Sequence, residues 1–149
     1  VMEKRPGLAL AFAGQIAGMR IQEALRAQGL KNNHAHVLML LADQGATGQQ
    51  ALVQTLGVDP SVLVAMLNDL ENAGLAERRR DPADRRRHIV EISPRGTQLV
   101  TDIYAGIASV EAELFAALDA HEIDVLHKML IRINATAGDQ TCDAANDAP

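Results

Sequence analysis

Apolar residues recur along this chain with a helical period that gives way once, near its middle, to alternation, and those switches mark the elements. From Leu8 to Ala27 the positions Leu8, Phe12, Ile16 and Met19 fall at helical spacing, with Ile21 and Leu25 continuing the stripe. Gly29-Leu30 reads as the left-handed stop of that helix and its hydrophobic partner. A second helix, roughly 34–43, is apolar on nearly every side through Val37, Leu38, Met39, Leu40 and Leu41, so it belongs in the interior. Thr47-Gly48-Gln49-Gln50 has the capping-box pattern, with Thr47 placed to bond the Gln50 amide and Gln50 to reach back. The short helix it opens ends at Leu56-Gly57. Asp59-Pro60 starts the next, with an N-cap aspartate and a proline at the first helical position, where its missing N–H costs nothing. This helix runs to Asn72 or Ala73, and Gly74-Leu75 closes it as Gly29-Leu30 closed the first. Two helices separated by about three residues including a glycine make a helix-turn-helix pattern.

Beyond Gly74 the period changes. Leu75-Ala76-Glu77 is a short candidate strand, and His88-Ile89-Val90-Glu91-Ile92, β-branched at three of five positions, is its partner. Between them Asp81-Pro82 favours a turn, because proline fixes φ and the aspartate bonds the backbone ahead of it. Ser93-Pro94 then repeats the cap-then-proline start of a long helix to about Leu118, with Leu99, Ile103, Ile107, Val110, Leu114 and Leu118 in one stripe. Asp119-Ala120-His121-Glu122 carries a second capping pattern, followed by Val125, Leu126, Met129, Leu130 and Ile133. Residues 137–149 are small, polar and acidic, the composition of a disordered tail. The fold class expected is mainly α, with a small two- or three-stranded antiparallel wing.

Charge sharpens this outline. Arg78 to Arg87 holds six of the 14 basic residues and two of the 19 acidic ones, a concentrated cationic point in a chain of net −5. Arginines on a projecting ribbon suit phosphate or groove contact, since guanidinium pairs bidentately with phosphate and counterion release drives binding. On the helix from Asp59, a wheel sets Leu63, Met66, Leu67 and Leu70 on one arc and Ser61, Ala65 and Asn68 opposite, with Val64 beside them. These outer side chains are small and uncharged, so the helix could settle deep in a major groove. There Asn can bond adenine bidentately and Ala or Val can meet a thymine methyl. The competing reading is an Ala/Val face packed on another helix of the same chain. The apolar stripes on the first and last two helices exceed what one subunit can cover, which points to a twofold symmetric dimer.

Leu70-Glu71-Asn72-Ala73-Gly74-Leu75-Ala76-Glu77-Arg78, then Asp81-Pro82-Ala83-Asp84-Arg85-Arg86, then Val90-Glu91-Ile92-Ser93-Pro94-Arg95-Gly96, resembles the signature of the MarR/SlyA family of bacterial transcription regulators. The element order matches over roughly residues 8–135, and the specific motif lies within about 56–96. The resemblance implies a winged helix-turn-helix DNA-binding domain over 33–93, with the helix-turn-helix at about 47–73 and the wing at about 75–93. Residues 1–32 and 94–136 would form a helical dimerisation region. It implies a homodimer on double-stranded DNA, acting as a ligand-responsive repressor at a pseudo-palindromic site. Carried over by position, Ser61, Val64, Ala65 and Asn68 face DNA, and Thr47 and Gln49 meet phosphate. The wing set is Arg79, Arg80, Asp84, Arg85, Arg86 and Arg87, with Arg86 entering the minor groove and Asp84 holding it in place. Ala65 departs from relatives that carry arginine or another polar residue there, shifting specificity toward the wing and DNA shape. The family's commoner effector, a small and often aromatic or phenolic anion, would meet Phe12, Ile16, Met19, His36, Met39 and Tyr104, although each of these taken singly reads more readily as ordinary core.

Other chemistry finds little support. His34 and His36, two apart, point to different helix faces and lack a second metal-ligand pair, so neither a metal nor another cofactor is expected. No phosphate-binding loop, Gly-x-Ser-x-Gly or His-Glu-x-x-His pattern suggests an enzyme. Cys142, the lone cysteine, excludes an intramolecular disulfide. With no signal peptide and no apolar run near the roughly 20 residues of a membrane span, a cytoplasmic location is expected. Two alternatives remain: a winged-helix module whose arginine hairpin grips an acidic protein, and, more remotely, a metal sensor or metal-dependent enzyme.

Overall fold

The computed structural model describes residues 4–144, with side chains as far as residue 137. Its elements run α1 (Pro6–Ala27), α2 (Asn32–Gln44), β1 (Thr47–Gly48), α3 (Gln49–Leu56), α4 (Pro60–Asn72), β2 (Ala76–Arg80), β3 (His88–Ile92), α5 (Pro94–Leu114) and α6 (Ala120–Ala144). Two compact units divide the chain, Val1–Val110 and Glu111–Pro149.

Glycine stops end the helices where the pattern placed them. Gly29 takes φ +75° and Gly74 φ +71°, a region that only glycine enters without steric cost. After each, the amide of the next leucine reaches back, Leu30 N–H to the Leu25 carbonyl at 3.2 Å and Leu75 N–H to that of Leu70 at 2.9 Å. Asp59 caps α4 as expected, its Oδ1 accepting from the Ser61 amide at 2.9 Å and the Ser61 hydroxyl at 2.6 Å.

One expected cap is not made. The helix after Thr47 begins at Gln49, so Gly48 stands at its N-cap with no side-chain bond, and the third helical residue is Ala51, whose methyl group cannot reach back. Thr47 instead belongs to a third strand, paired with Val90, while its hydroxyl donates to the Gly45 carbonyl at 2.8 Å. The sheet order is β1-β3-β2, all antiparallel, with β2 and β3 in register from Ala76↔Ile92 to Arg80↔His88. The first arginine triplet therefore lies inside β2, and only residues 81–87 form the hairpin tip.

In the first unit α2 is interior, with Val37, Leu38 and Leu41 fully buried. Leu63, Met66, Leu67 and Leu70 of α4 join them, together with Leu52, Leu75, Val90 and Val100. Burying each such leucine is worth roughly 1.5–3 kcal/mol over leaving it exposed, which fixes the rotation of α4 and hence what its other face presents. A smaller cluster, Leu25, Ala35 and Ile103, joins α1, α2 and α5. Helices α3 and α4 bend by 114° across their break, within the range of a helix-turn-helix.

In the second unit the long helix stops short of Leu118. Turn bonds from Phe115 to the Glu111 carbonyl and from Leu118 to that of Phe115 tighten its end. Asp119 is thereby freed for a full capping box, its N–H donating to Glu122 Oε2 at 2.9 Å and its Oδ1 accepting from Glu122 N–H at 2.8 Å. The stretch expected as a tail is helical as far as Ala144. Residues 145–149, the rest of that stretch, and the side chain of Cys142 lie outside the described residues. Among those described, no single helix is long and apolar enough to cross a membrane.

Candidate nucleic-acid interface

With its leucines committed to the core, α4 leaves Ser61, Val62, Val64, Ala65 and Asn68 exposed in one strip. Nothing among the described residues of the first unit covers this face, so the Ala/Val strip is not spent on internal packing there. Val62, 45% exposed, widens it beyond the residues that the wheel singled out. The signal for Val62 was present, since it lies one residue from Ser61 and three from Ala65.

Wing arginines divide by partner. Arg79 pairs with Glu91 across the ribbon at 2.8 Å. Arg78, the least exposed, is bound to α4: its backbone N–H donates to Glu71 Oε1 at 3.0 Å and its Nε to the same oxygen at 2.7 Å. Its Nη2 donates to Asn68 Oδ1. Arg78 was missed as a site residue, because its two partners lie seven and ten positions back on another element. Arg80 Nη1 donates to the Arg85 carbonyl at 2.9 Å, closing the tip. Asp84 steadies the turn differently from expectation. Its Oδ1 accepts from the Arg86 backbone N–H at 3.1 Å, and its Oδ2 lies 3.6 Å from Arg87 Nε. The carboxylate thus holds the backbone of Arg86 and leaves the guanidinium alone. Among the described residues, Arg85 and Arg86 have no carboxylate partner, so the tip keeps its positive charge where it projects furthest.

Between tip and helix-turn-helix lies a notch of about 400 Å³, lined by Gly48, Gln49, Pro60, Asp81, Arg86, Arg87 and His88 among others. Gln49 reaches it from the start of α3, but its Oε1 is buried without a hydrogen-bond partner. The Thr47 hydroxyl is turned to the Gly45 carbonyl, and Thr47 and Gln49 are both half-buried, so neither presents a free side chain as Arg86 does.

Charge effects are local. The Arg78 side chain, bonded to Glu71, holds that carboxyl below its ordinary value against a smaller opposing push from burial. Asp59 is lowered by the Ser61 hydroxyl and then by the Ser61 amide. Because the folded Glu71 is the stronger acid, the clamp's contribution is complete above the unfolded carboxylate value and is lost as pH falls through the depressed one. The stability difference between the wild type and Glu71→Gln is therefore expected to be level above about pH 5 and to shrink below about pH 4, as read by denaturant unfolding at a series of pH values. A difference that grew on acidification would contradict the clamp.

The proposed effector residues are not gathered into a pocket here. Phe12, Ile16, Met19 and Tyr104 are each about half exposed, His36 is exposed, and Met39 packs against both core clusters. His34 donates through Nε2–H to Asp69 Oδ2 at 2.9 Å. No group of three or more metal-ligating side chains occurs among the described residues.

A family model described as MarR family matches residues 28–87. A protein of Thauera aromatica described as a transcriptional regulator for the hcr operon is 30% identical over 122 residues, spanning 80% of this chain and 74% of that one. Among solved structures, a crystal structure of MarR superposes with TM-score 0.77 at 24% identity, over 91% of this chain and 92% of that chain. CouR from Rhodococcus jostii RHA1, bound to p-coumaroyl-CoA, gives TM-score 0.73 at 26% identity over 89% and 94%. The MarR likeness is one of fold; the sequence similarity to the Thauera protein carries the family.

Proposed function

The chain belongs to the MarR family of winged helix-turn-helix transcription regulators, and from that premise we propose that it is a ligand-responsive repressor, not an enzyme, that binds a pseudo-palindromic DNA site as a homodimer in the cytoplasm. The observation that carries this reading is the pairing of an uncharged, uncovered face on α4 with a wing tip whose Arg85 and Arg86 lack carboxylate partners among the described residues. The helix enters the major groove and reads base edges, while the tip reaches the flanking minor groove, where a narrow A·T tract concentrates negative potential. Thr47, in β1, and Gln49, at the start of α3, approach the backbone through their main-chain amides more than through their side chains. The net charge of −5 limits adhesion elsewhere on the duplex.

Dimerisation is supported by exposed apolar residues on α1, Leu8, Phe12, Ile16 and Met19, and in the second unit by Val125, Met129, Ile131 and Ile133. A second copy covers such surface at the lowest cost in new sequence. The two recognition helices of the dimer would then meet half-sites about one helical turn apart. An effector acts by binding one spacing of those helices better than the other. That CouR holds an aromatic acyl-CoA supports an aromatic effector here, in a site that includes Phe12, Ile16, Met19, His36, Met39 and Tyr104 once the dimer has formed.

Selection of bound duplexes from a random pool tests the reading, since the recovered site reports symmetry, spacing and base preference together. A salt titration complements it. The logarithm of affinity is expected to fall linearly with that of salt concentration, by roughly 0.9 for each phosphate neutralised, with a slope near −4 or steeper. A protein whose hairpin grips an acidic partner instead would show almost no duplex binding at any salt.

A further inference from the structure

Asn68 is the one exposed amide on the groove-facing strip of α4, and the wing holds one end of it. The guanidinium of Arg78 donates to Asn68 Oδ1 while the same side chain is anchored on Glu71. Arginine has donors and no acceptor. The amide group facing Arg78 is therefore its oxygen, and its nitrogen, with two N–H donors, is turned away toward the open face. An asparagine free to rotate reads adenine through both ends, its oxygen accepting from N6 and its nitrogen donating to N7. Here Arg78 takes one of that oxygen's two lone pairs and fixes the orientation of the amide, so the two N–H donors are the end left to the groove.

We propose that Arg78, fixed by Glu71, is a positioning residue that holds the Asn68 amide with its two donors toward the groove, so that the base facing it is selected for acceptors, guanine N7 and O6, over adenine. The proposal rests on the DNA-binding reading above and revises the adenine preference that the residue type alone suggests. Geometry supports the anchoring role. Glu71 receives both the backbone N–H and Nε of Arg78, so the guanidinium reaches Asn68 from a strand that is itself pinned to α4. Arg78 is buried more deeply than its carboxylate partner, 21% against 33% side-chain exposure. Its charge is spent inside the domain and adds little to phosphate attraction.

The test is duplex selection with the full-length wild type, Asn68→Ala and Arg78→Met, followed by affinity measurements on a panel of single-base variants of the recovered site. The position whose preference flattens in Asn68→Ala is the one Asn68 reads. At that position the wild type is expected to favour guanine over adenine, and Arg78→Met to shift the ratio toward adenine by about fivefold or more, the lower range for one bidentate contact. A merely structural role for Arg78 would lower affinity evenly over all sequences, and that result overturns the proposal. So does a wild type that prefers adenine there, or an Asn68→Ala protein with an unchanged base preference. The wild-type and Asn68→Ala arms decide the matter even if Arg78→Met does not fold. A wild type that bound no duplex at all would remove the DNA-binding reading and this inference with it, a result distinct from binding with the wrong preference.

Discussion

Replacing Arg86 with alanine is expected to weaken binding to the selected operator at least tenfold, about 1.4 kcal/mol, with the dimer and the melting temperature unchanged. The expectation follows from what the wing arginines already hold. Arg78 and Arg79 spend their charge on Glu71 and Glu91. Arg87 has Asp84 at 3.6 Å. Arg86 stands at the tip with its backbone fixed by Asp84 and its side chain without an ion-pair partner among the described residues, so inserting it into a groove breaks no ion pair among them. It also needs little ordering of the loop, because the turn is closed by Asp81 N–H to the Arg87 carbonyl and by Arg87 N–H to that of Asp84, each at 2.9 Å. Arg79→Ala is the matched control, for it deletes the same side chain from the same ribbon where the charge is already balanced. Its expected effect is under threefold, within what an exposed ion pair contributes. Fluorescence anisotropy with labelled operator at fixed salt measures both. Equal losses at the two positions would mean that the tip acts only as a diffuse charge, and no loss at Arg86 would remove it from the interface.

That division among the arginines was only partly legible in the sequence. Local chemistry was readable because its causes are local: Asp59-Pro60 and Gly74-Leu75 bound α4 to within a residue, and the wheel separated the leucines from the outer strip. The arginine run was readable as charge but not as partners. Which of its members stay free depends on Glu71, seven residues before Arg78, and on Glu91, across a strand pairing. Residue spacing cannot reveal that Thr47 would leave its capping box to extend a sheet, since its partner Val90 lies 43 residues away. The effector residues are the least legible. Phe12, Ile16, Met19 and Tyr104 carry a helical period that reads equally as core, as a contact between subunits or as a cleft, and their exposure in the first unit removes only the first of these for that unit.

Gly96→Ala is expected to be the most damaging glycine-to-alanine change among the described residues, lowering stability by about 3 kcal/mol. Helix propensity alone predicts the opposite sign, since alanine is favoured over glycine within a helix by roughly 1 kcal/mol. Geometry decides between them. A Cβ at residue 96 would collide with the Leu75 carbonyl oxygen and lie 2.8 Å from Ile92 Cγ1. The first atom is backbone and cannot step aside cheaply. That carbonyl accepts from Ser93 N–H at 3.0 Å, while the Leu75 amide closes α4 on Leu70. The Ser93 hydroxyl meanwhile donates to the Gly74 carbonyl at 2.7 Å and accepts from Gly96 N–H at 3.0 Å. One methyl group would thus pry apart the end of α4, the root of the wing and the start of α5 together. Gly106→Ala, in the same helix, is the control: its added Cβ meets only Ala24 Cβ at 3.7 Å, an ordinary contact, so propensity should prevail and stability should rise slightly or hold. Thermal unfolding of the two variants reads the contrast as a fall of roughly 10 °C for one and none for the other. A Gly96→Ala protein as stable as the wild type would mean that α5 does not dock on Leu75 in solution, and the wing would then lack the footing that aims Arg86.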